Sequence, residues 1–321
     1  MGDEEKKVLV TRAMPKGGLD PLTAAGCQVT QRLDDVAYTH AELVELAPNF
    51  DGMVCLLTDK IDTDVLEAGA RGRLRVVANA AVGYDNIDVE RAERLGVVIC
   101  NTPGVLDETT ADLAFLLILA AARLASDAER DLREGKWAGW GISDHLGRDV
   151  HGRVLGLIGY GRIAREVARR AEGFGMEVLH HTRRPTGFPG FVETLDELLS
   201  TSDAVSIHVP LTDTTSKMIS KRELALMKPT AVLINTSRGP VLDEEALCDA
   251  LEDGSIFAAG LDVYESEPAV NPRLIASRRT VLLPHIGSAT IETRTKMVRL
   301  ASLGVVEVLS GRTPENVVTP R

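Results

Sequence analysis

Short runs of β-branched and aliphatic residues alternate with helix-length segments along almost the whole chain, and this constrains the fold more than any other feature. The runs of the first third are residues 8–11, 52–57, 75–78 and 97–100. Those of the remainder are residues 154–158, 177–180, 204–209, 231–235, 257–262 and 281–283. Each is apolar on both faces and too far from the next for a hairpin. Strands of this kind build parallel sheets covered by helices. Asn101-Thr102-Pro103-Gly104 interrupts the alternation, and a helical stretch over residues 110–132 follows. A second series starts at Arg153. The spacing predicts an α/β protein of two doubly wound parallel-sheet domains. The helical stretch at residues 289–310 is too short to be a domain, so we expect it to return to the first one. The first domain is then discontinuous, residues 1–101 plus 289–321, around a second domain of residues 102–288.

The second series opens on a glycine-rich turn. Val154-Leu155-Gly156-Leu157-Ile158 is an apolar strand, residues 162–170 have a helical pattern, and between them stands Gly159-Tyr160-Gly161-Arg162-Ile163-Ala164. In such a unit the first glycine permits a tight turn and the second lets a pyrophosphate approach the backbone. The third position, here Ala164, needs a small residue for helix–strand packing. The helix N-terminus adds N–H donors and the positive end of its dipole. An ordinary βα turn would use glycine for geometry alone; the flanking strand and helix favour a dinucleotide site. An NAD site places Asp or Glu at the end of the next strand, about 20 residues on, for the ribose hydroxyls. This chain reads His180-His181-Thr182-Arg183-Arg184-Pro185 there. A carboxylate would repel a 2′-phosphate, whereas guanidinium groups clamp one. We therefore expect Thr182, Arg183 and Arg184 to contact the cofactor, with NADP preferred and NAD second. The competing reading makes the two arginines solvated loop charges.

Three later strands are followed by Asn235-Thr236-Ser237-Arg238-Gly239, by Asp262-Val263-Tyr264-Glu265-Ser266-Glu267-Pro268 and by Pro284-His285-Ile286-Gly287-Ser288-Ala289-Thr290. Singly, an Arg at a strand end is usually a surface charge, a His after Pro is more often structural, and Glu265 and Glu267 read as loop acids. Together, at the carboxyl ends of parallel strands and beside a nucleotide turn, Arg238, Glu267 and His285 form a catalytic set. A guanidinium, a carboxylate and an imidazole are the groups that reduction of a 2-keto acid by a nicotinamide cofactor requires. The Arg holds the substrate carboxylate, the His delivers the proton and the acid sets the protonation of the His. His and Arg already supply electrophilic assistance, so no metal is expected. The spacing of His180, His181 and His208 does not suggest metal ligation.

With these segments in hand, the chain resembles the D-isomer-specific 2-hydroxyacid dehydrogenases over essentially its whole length. The likeness includes Ala81-Val82-Gly83-Tyr84-Asp85-Asn86-Ile87-Asp88, Asn101-Thr102-Pro103 and Thr110-Ala111-Asp112-Leu113. Within that family it looks most like glyoxylate/hydroxypyruvate reductases, through Cys55-Leu56-Leu57-Thr58-Asp59, Trp137-Ala138-Gly139-Trp140 and the Thr182-Arg183-Arg184 run. The resemblance implies a Rossmann-type cofactor domain inserted into a flavodoxin-like substrate domain, with the active site in the cleft. It implies that the backbone N–H groups of Val82 and Gly83 complete the carboxylate cradle. Leu57 and Ser288 would line the substrate side, and Trp137 and Trp140 would narrow the site toward small acids. Thr110 and Asp262 would lie near the nicotinamide, with His285 and Gly287 beside it. Tyr160, Gly161, Arg162 and Ile163 would cover the pyrophosphate, while Val209, Pro210 and Thr236 would flank the dinucleotide. The product would be a D-hydroxy acid.

Composition narrows the partners. The 321 residues are 44% hydrophobic and 26% charged, enough for two cores. A net charge of −11 argues against a general nucleic-acid binder. The longest apolar stretch, residues 113–122, spans about half a bilayer and is closed by Asp112 and Arg123, so a buried helix is expected and no membrane partner. The N-terminus has no apolar signal core, and four cysteines without CxxC spacing suggest buried free thiols; both suit a cytoplasmic protein. The helix from Thr110 is too apolar for an exposed surface, and the resemblance implies a dimer interface in this region, so we expect a homodimer with that helix buried across the two-fold axis. An intramolecular core helix is the alternative. The leading function is reduction of glyoxylate and hydroxypyruvate. The rivals are another D-2-hydroxyacid dehydrogenase, such as one acting on phosphoglycerate, and a dinucleotide-sensing co-regulator scaffold.

Overall fold

The computed structural model describes residues 5–320. They form two compact units, residues 5–106 with 288–320, and Asp107–Gly287. In the first, the elements run β1 (Lys7–Val10), α1 (Asp20–Ala24), β2 (Gln28–Gln31), α2 (His40–Leu46), β3 (Gly52–Cys55), α3 (Thr63–Arg71), β4 (Val76–Asn79), α4 (Val89–Leu95) and β5 (Val98–Cys100). The sheet is wholly parallel in the order β2-β1-β3-β4-β5, the flavodoxin-like arrangement. Strand β2 was not foreseen. Gln-Val-Thr-Gln carries two β-branched residues between two glutamines, and it pairs on one side only, from Lys7↔Gln28 to Val10↔Gln31. An edge strand needs no apolar outer row, so its sequence is almost silent.

The second unit runs α5 (Asp107–Ala122), α6 (Ala125–Arg133), β6 (Val154–Ile158), α7 (Arg162–Glu172), β7 (Glu177–His181), α8 (Leu195–Thr201), β8 (Ala204–Ile207), α9 (Lys221–Leu226), β9 (Val232–Asn235), α10 (Glu244–Glu252), β10 (Ala258–Leu261), α11 (Pro272–Ala276) and β11 (Thr280–Leu282). Its parallel sheet has the order β11-β10-β9-β8-β6-β7. Beyond β7, Phe191 makes a single parallel bridge to His180. That bridge is the remnant of one more edge strand, and with it the sheet has the dinucleotide-binding order 3-2-1-4-5-6 extended by β11.

One expected element is corrected. The helix predicted over residues 110–132 is two helices, α5 and α6, bent by 68° about Leu124, which sits at φ +50°. The packing differs on the two sides of the bend. Helix α5 is apolar from Leu113 onward and packs against α7, β9 and β10. Helix α6 buries none of its residues and is instead held by Arg278, whose guanidinium lies 2.6 Å from both Asp127 and Asp131. The burial of α5 within its own unit also accounts for the apolar stretch without a partner chain. Among the described residues, no single helix is long and apolar enough to cross a membrane.

Each sheet has a hydrophobic core on both faces. In the first unit, α12 (Ile291–Leu309) closes one face, where Val298, Ala301 and Val305 pack with Val8, Val10, Val54 and Val76. Gly52 on β3 sets how close α12 can lie: a Cβ there would stand 2.8 Å from Val305 Cγ1 and 3.2 Å from Val76 Cγ1. Gly52→Ala should therefore destabilise the protein by about 1–3 kcal/mol through overpacking, read as a lower urea midpoint. A midpoint equal to wild type would show that α12 yields freely.

Candidate active site

The glycine turn stands at the topological switch point of the second sheet, where β6 has β7 on one side and β8 on the other. Gly159 has φ +87°, and a Cβ there would lie 2.7 Å from the His208 carbonyl oxygen and 2.9 Å from Val209 Cγ1. Only glycine fits. Gly161 differs: its φ is −76°, and a Cβ would meet nothing within 4 Å. No protein contact demands a glycine here, so its value lies in leaving the backbone open to a ligand. Helix α7 begins at once without a side-chain cap, so its first N–H groups are free to hold an anion. Ala164 is fully buried against the sheet. Arg162 pairs with Asp107 at 3.3 Å, and the Thr236 hydroxyl is buried without a partner among the described residues. A dinucleotide fits these features: a bare backbone approach, unfilled helix donors and an orphaned hydroxyl. Thr110, Asp262 and Gly287 also converge, since a Cβ on Gly287 would be 3.2 Å from Asp262 Oδ2 and 3.6 Å from Thr110 Oγ1.

At the end of β7, Arg183 and Arg184 are exposed, and the Thr182 hydroxyl donates to the Arg184 carbonyl at 2.6 Å. The sequence did not disclose the ring cluster that joins the glycine turn to β7. The Tyr160 ring stacks on His180 with centroids 3.8 Å apart, and Phe188 meets Tyr160 edge-on at 5.5 Å. The residue between the two glycines is thus fixed by an aromatic stack.

The catalytic candidates lie on the loops that follow β9, β10 and β11, three neighbouring strands. After β9, Asn235 Nδ2 donates to the Arg238 carbonyl at 2.9 Å and Asn235 Oδ1 accepts from the Ser237 N–H at 3.0 Å, closing a tight turn. Gly239 lets this turn touch the next loop, because a Cβ would fall 1.9 Å from the Tyr264 carbonyl. On that loop, Glu267 accepts from the Tyr264 N–H at 3.1 Å through one oxygen and meets His285 Nδ1 at 2.8 Å through the other. Asp262 fastens the third loop: its carboxylate accepts from the N–H of Ile286 at 2.7 Å and of Gly287 at 2.8 Å. The Tyr264 hydroxyl adds a bond to the Leu283 carbonyl at 2.8 Å. Between these anchors His285 is held at φ +54°, an uncommon conformation for a side chain of its size.

Burial opposes the Glu267 carboxylate, yet the bond and charge of His285, the Tyr264 N–H and nearby Arg238 outweigh it and hold its pKa below the usual carboxylate value. Burial pushes Asp262 upward despite its two N–H donors. Arg238, Glu267 and His285 therefore form one electrostatic group. Gly239, Tyr264 and the anchoring function of Asp262 escaped the sequence reading; the signal available was the Asp-Val-Tyr-Glu-Ser-Glu-Pro string itself, which carries more polar groups than a single catalytic acid requires.

The remaining candidates lie on the first unit. Leu57 follows β3 and Val82 and Gly83 follow β4, all three half-buried, and Ser288 begins the return of the chain. Trp137 and Trp140 lie on the second unit and are 61% and 82% exposed. All four cysteines are free; three are buried, as expected, whereas Cys27 is only partly so because it precedes the edge strand.

This arrangement is that of a dinucleotide-dependent oxidoreductase. The model of the family described as D-isomer specific 2-hydroxyacid dehydrogenase, NAD binding domain, matches residues 115–287. The chain is 44% identical to a glyoxylate reductase of Thermococcus gammatolerans, over 97% of this chain and 95% of that one. A crystal structure of a protein from Thermus thermophilus superposes with a TM-score of 0.92 at 41% identity, covering 98% and 100% of the two chains. The NADPH-dependent glyoxylate/hydroxypyruvate reductase of Sinorhizobium meliloti, crystallised with NADP and malonate, superposes with a TM-score of 0.87 at 34% identity, covering 98% and 97%. The chain belongs to the D-isomer-specific 2-hydroxyacid dehydrogenase family and is an NAD(P)-dependent oxidoreductase.

Glu267→Gln keeps the shape of the side chain and removes its charge. Reductive turnover at neutral pH should fall roughly ten- to hundredfold, because the His285 ring loses the charged partner that holds it through Nδ1. The folded-state pKa of Glu267 lies below its ordinary 4.5, so the pair stabilises the protein above that pH and the contribution disappears as pH falls through the lowered value. A variant with wild-type turnover would remove Glu267 from this role.

Proposed function

We propose that the protein reduces glyoxylate and hydroxypyruvate to glycolate and D-glycerate, with NADPH preferred. The observation that carries this reading is the 2.8 Å contact of His285 Nδ1 with Glu267, formed beside Arg238 on the unit that also bears the glycine turn. Bound NAD(P)H supplies the hydride. Arg238 holds the substrate carboxylate and polarises the carbonyl, and the N–H groups of Val82 and Gly83 share the carboxylate. Glu267 fixes the ring through Nδ1, so His285 presents Nε2 as the donor of the proton that the new alkoxide takes up. Leu57 and Ser288 line the substrate. Thr110, Asp262, His285 and Gly287 position the nicotinamide, and Gly159, Tyr160, Gly161, Arg162, Ile163, Val209, Pro210 and Thr236 hold the rest of the dinucleotide. The first unit is then the substrate domain and the second the cofactor domain. Four free cysteines fit a cytoplasmic setting.

NADPH preference rests on Arg183 and Arg184, exposed at the end of β7 where an acid would select NAD. A relative with NADP bound is consistent with it. Initial rates with both cofactors and with glyoxylate, hydroxypyruvate, pyruvate and 3-phosphohydroxypyruvate test the whole reading. We expect fast turnover of the first two with NADPH. Changing both arginines to Ala should raise the KM for NADPH by about 10–100-fold, the worth of a charged hydrogen bond or two, and leave that for NADH nearly unchanged. Equal effects on both cofactors would overturn the preference, and tight NADPH binding without turnover would leave a sensor rather than an enzyme.

A homodimer is the proposed assembly, supported now by a different segment. Leu132, Trp137, Trp140, Ile142 and Leu146 crowd one short stretch of chain and are all exposed, as is Leu116 of α5. Light scattering should give twice the 34.6 kDa of one chain, and Trp137→Asp with Trp140→Asp should halve it. A wild-type monomer at micromolar concentration would rule the dimer out.

A further inference from the structure

The loop after β4 holds an unusual sequence of peptide groups. The Ala81 carbonyl accepts from the Thr102 N–H at 2.9 Å. The next carbonyl, of Val82, accepts from Asn101 Nδ2 at 2.8 Å, and that of Gly83 accepts from Asn79 Nδ2 at 2.9 Å. A trans peptide points its N–H opposite its carbonyl. Pinning the Ala81 carbonyl therefore aims the Val82 N–H away from the protein contact, and pinning the Val82 carbonyl aims the Gly83 N–H likewise. Neither of these two N–H groups donates to any described residue. Two successive N–H groups of half-buried residues are thus left unfilled, with every adjoining carbonyl filled.

The side chains that do the pinning are themselves fixed. Asn79 is fully buried and its amide also reaches Asn86 Oδ1 at 3.1 Å. Asn86 Nδ2 in turn donates to the carbonyls of Leu56 at 3.1 Å and Asp59 at 2.9 Å, so the turn that carries Leu57 is tied to the same ladder. Asn101 is gripped from behind by Asn316, whose Nδ2 donates to the Asn101 carbonyl at 2.6 Å while its carbonyl accepts the Asn101 N–H at 3.2 Å.

We infer that Asn101, backed by Asn316, and Asn79, coupled to the Leu57 turn by Asn86, are positioning residues for the substrate carboxylate: they set the direction of the Val82 and Gly83 N–H groups and touch no reacting atom themselves. The inference rests on the reading of those two N–H groups as part of the carboxylate site. In that role, loss of an asparagine amide frees one peptide to rotate and misplaces the anion, which weakens keto-acid binding and leaves cofactor binding alone, because the glycine turn is on the other unit.

The test compares wild type with Asn101→Ala and Asn79→Ala, using glyoxylate and its neutral amide as paired substrates and NADPH binding by fluorescence as the control. Each variant should raise the KM for glyoxylate about tenfold or more, change kcat far less, keep the Kd for NADPH, and shrink the preference for glyoxylate over the amide. A variant that loses stability alone would lower the active fraction and leave KM and that preference intact. If Asn101→Ala does not fold, Asn316→Ala, which loosens Asn101 without deleting it, must shift the same ratio. Wild type that fails to turn over any keto acid would sink the functional reading on which the inference rests. Wild type that does, beside variants with unchanged KM and unchanged preference, would sink the inference alone.

Discussion

The carboxylate of Asp262 is the tie on which the catalytic geometry depends. It stands at the end of β10, 1% exposed, and accepts the N–H groups of Ile286 and Gly287 from the loop after β11. A buried carboxylate is costly unless its oxygens are filled, and burial does push its pKa upward. That cost is offset because the bonds, together with the Tyr264 hydroxyl on the Leu283 carbonyl, hold two loops together beyond the sheet. With them in place His285 adopts its strained backbone, and Glu267, two turns of loop away, meets its Nδ1. The same logic extends to the loop after β9, where the absence of a Cβ at Gly239 allows backbone contact with Tyr264. Three strands that end side by side would otherwise deliver three independent loops.

Local sequence disclosed the buried parts of this architecture and not its edges. Strands such as β6 and β9 are apolar on both faces because helices cover both, and that pattern is visible without a structure. Strand β2 pairs on one side and alternates exposed with half-buried residues, so its four residues carry no comparable signal. The bend at Leu124 was hidden for another reason. Both flanking segments have a helical pattern, and what separates them is a change in what each packs against, a tertiary fact.

The site divides in the same way. Arg238, Glu267 and His285 could be proposed from the sequence because their side-chain chemistry is rare in combination. Asn79, Asn86 and Asn101 could not, because an asparagine amide that orients a peptide looks in sequence like any turn residue. One clue was on the page: Asn79 ends the run Val76-Val77-Ala78, and a polar side chain that closes a buried strand has to be satisfied by something nearby. Buried amides of this sort are a general place to look for groups that shape a site without entering it.

In the reading proposed above, backbone N–H groups meet the carboxylate of the substrate, and discrimination among keto acids falls to the side chains around the substituent on the carbonyl. Leu57 is the half-buried apolar side chain proposed there. Arg12, beside the same turn, is matched by the buried Asp59 carboxylate at 3.4 Å, which in turn accepts the Thr11 hydroxyl at 2.5 Å and the Leu56 N–H at 2.8 Å. A phosphate would need an uncommitted cation here to repay its dehydration. On the proposed reading, the pairing of Arg12 with Asp59 weakens that inducement and favours a small substituent over a phosphorylated one.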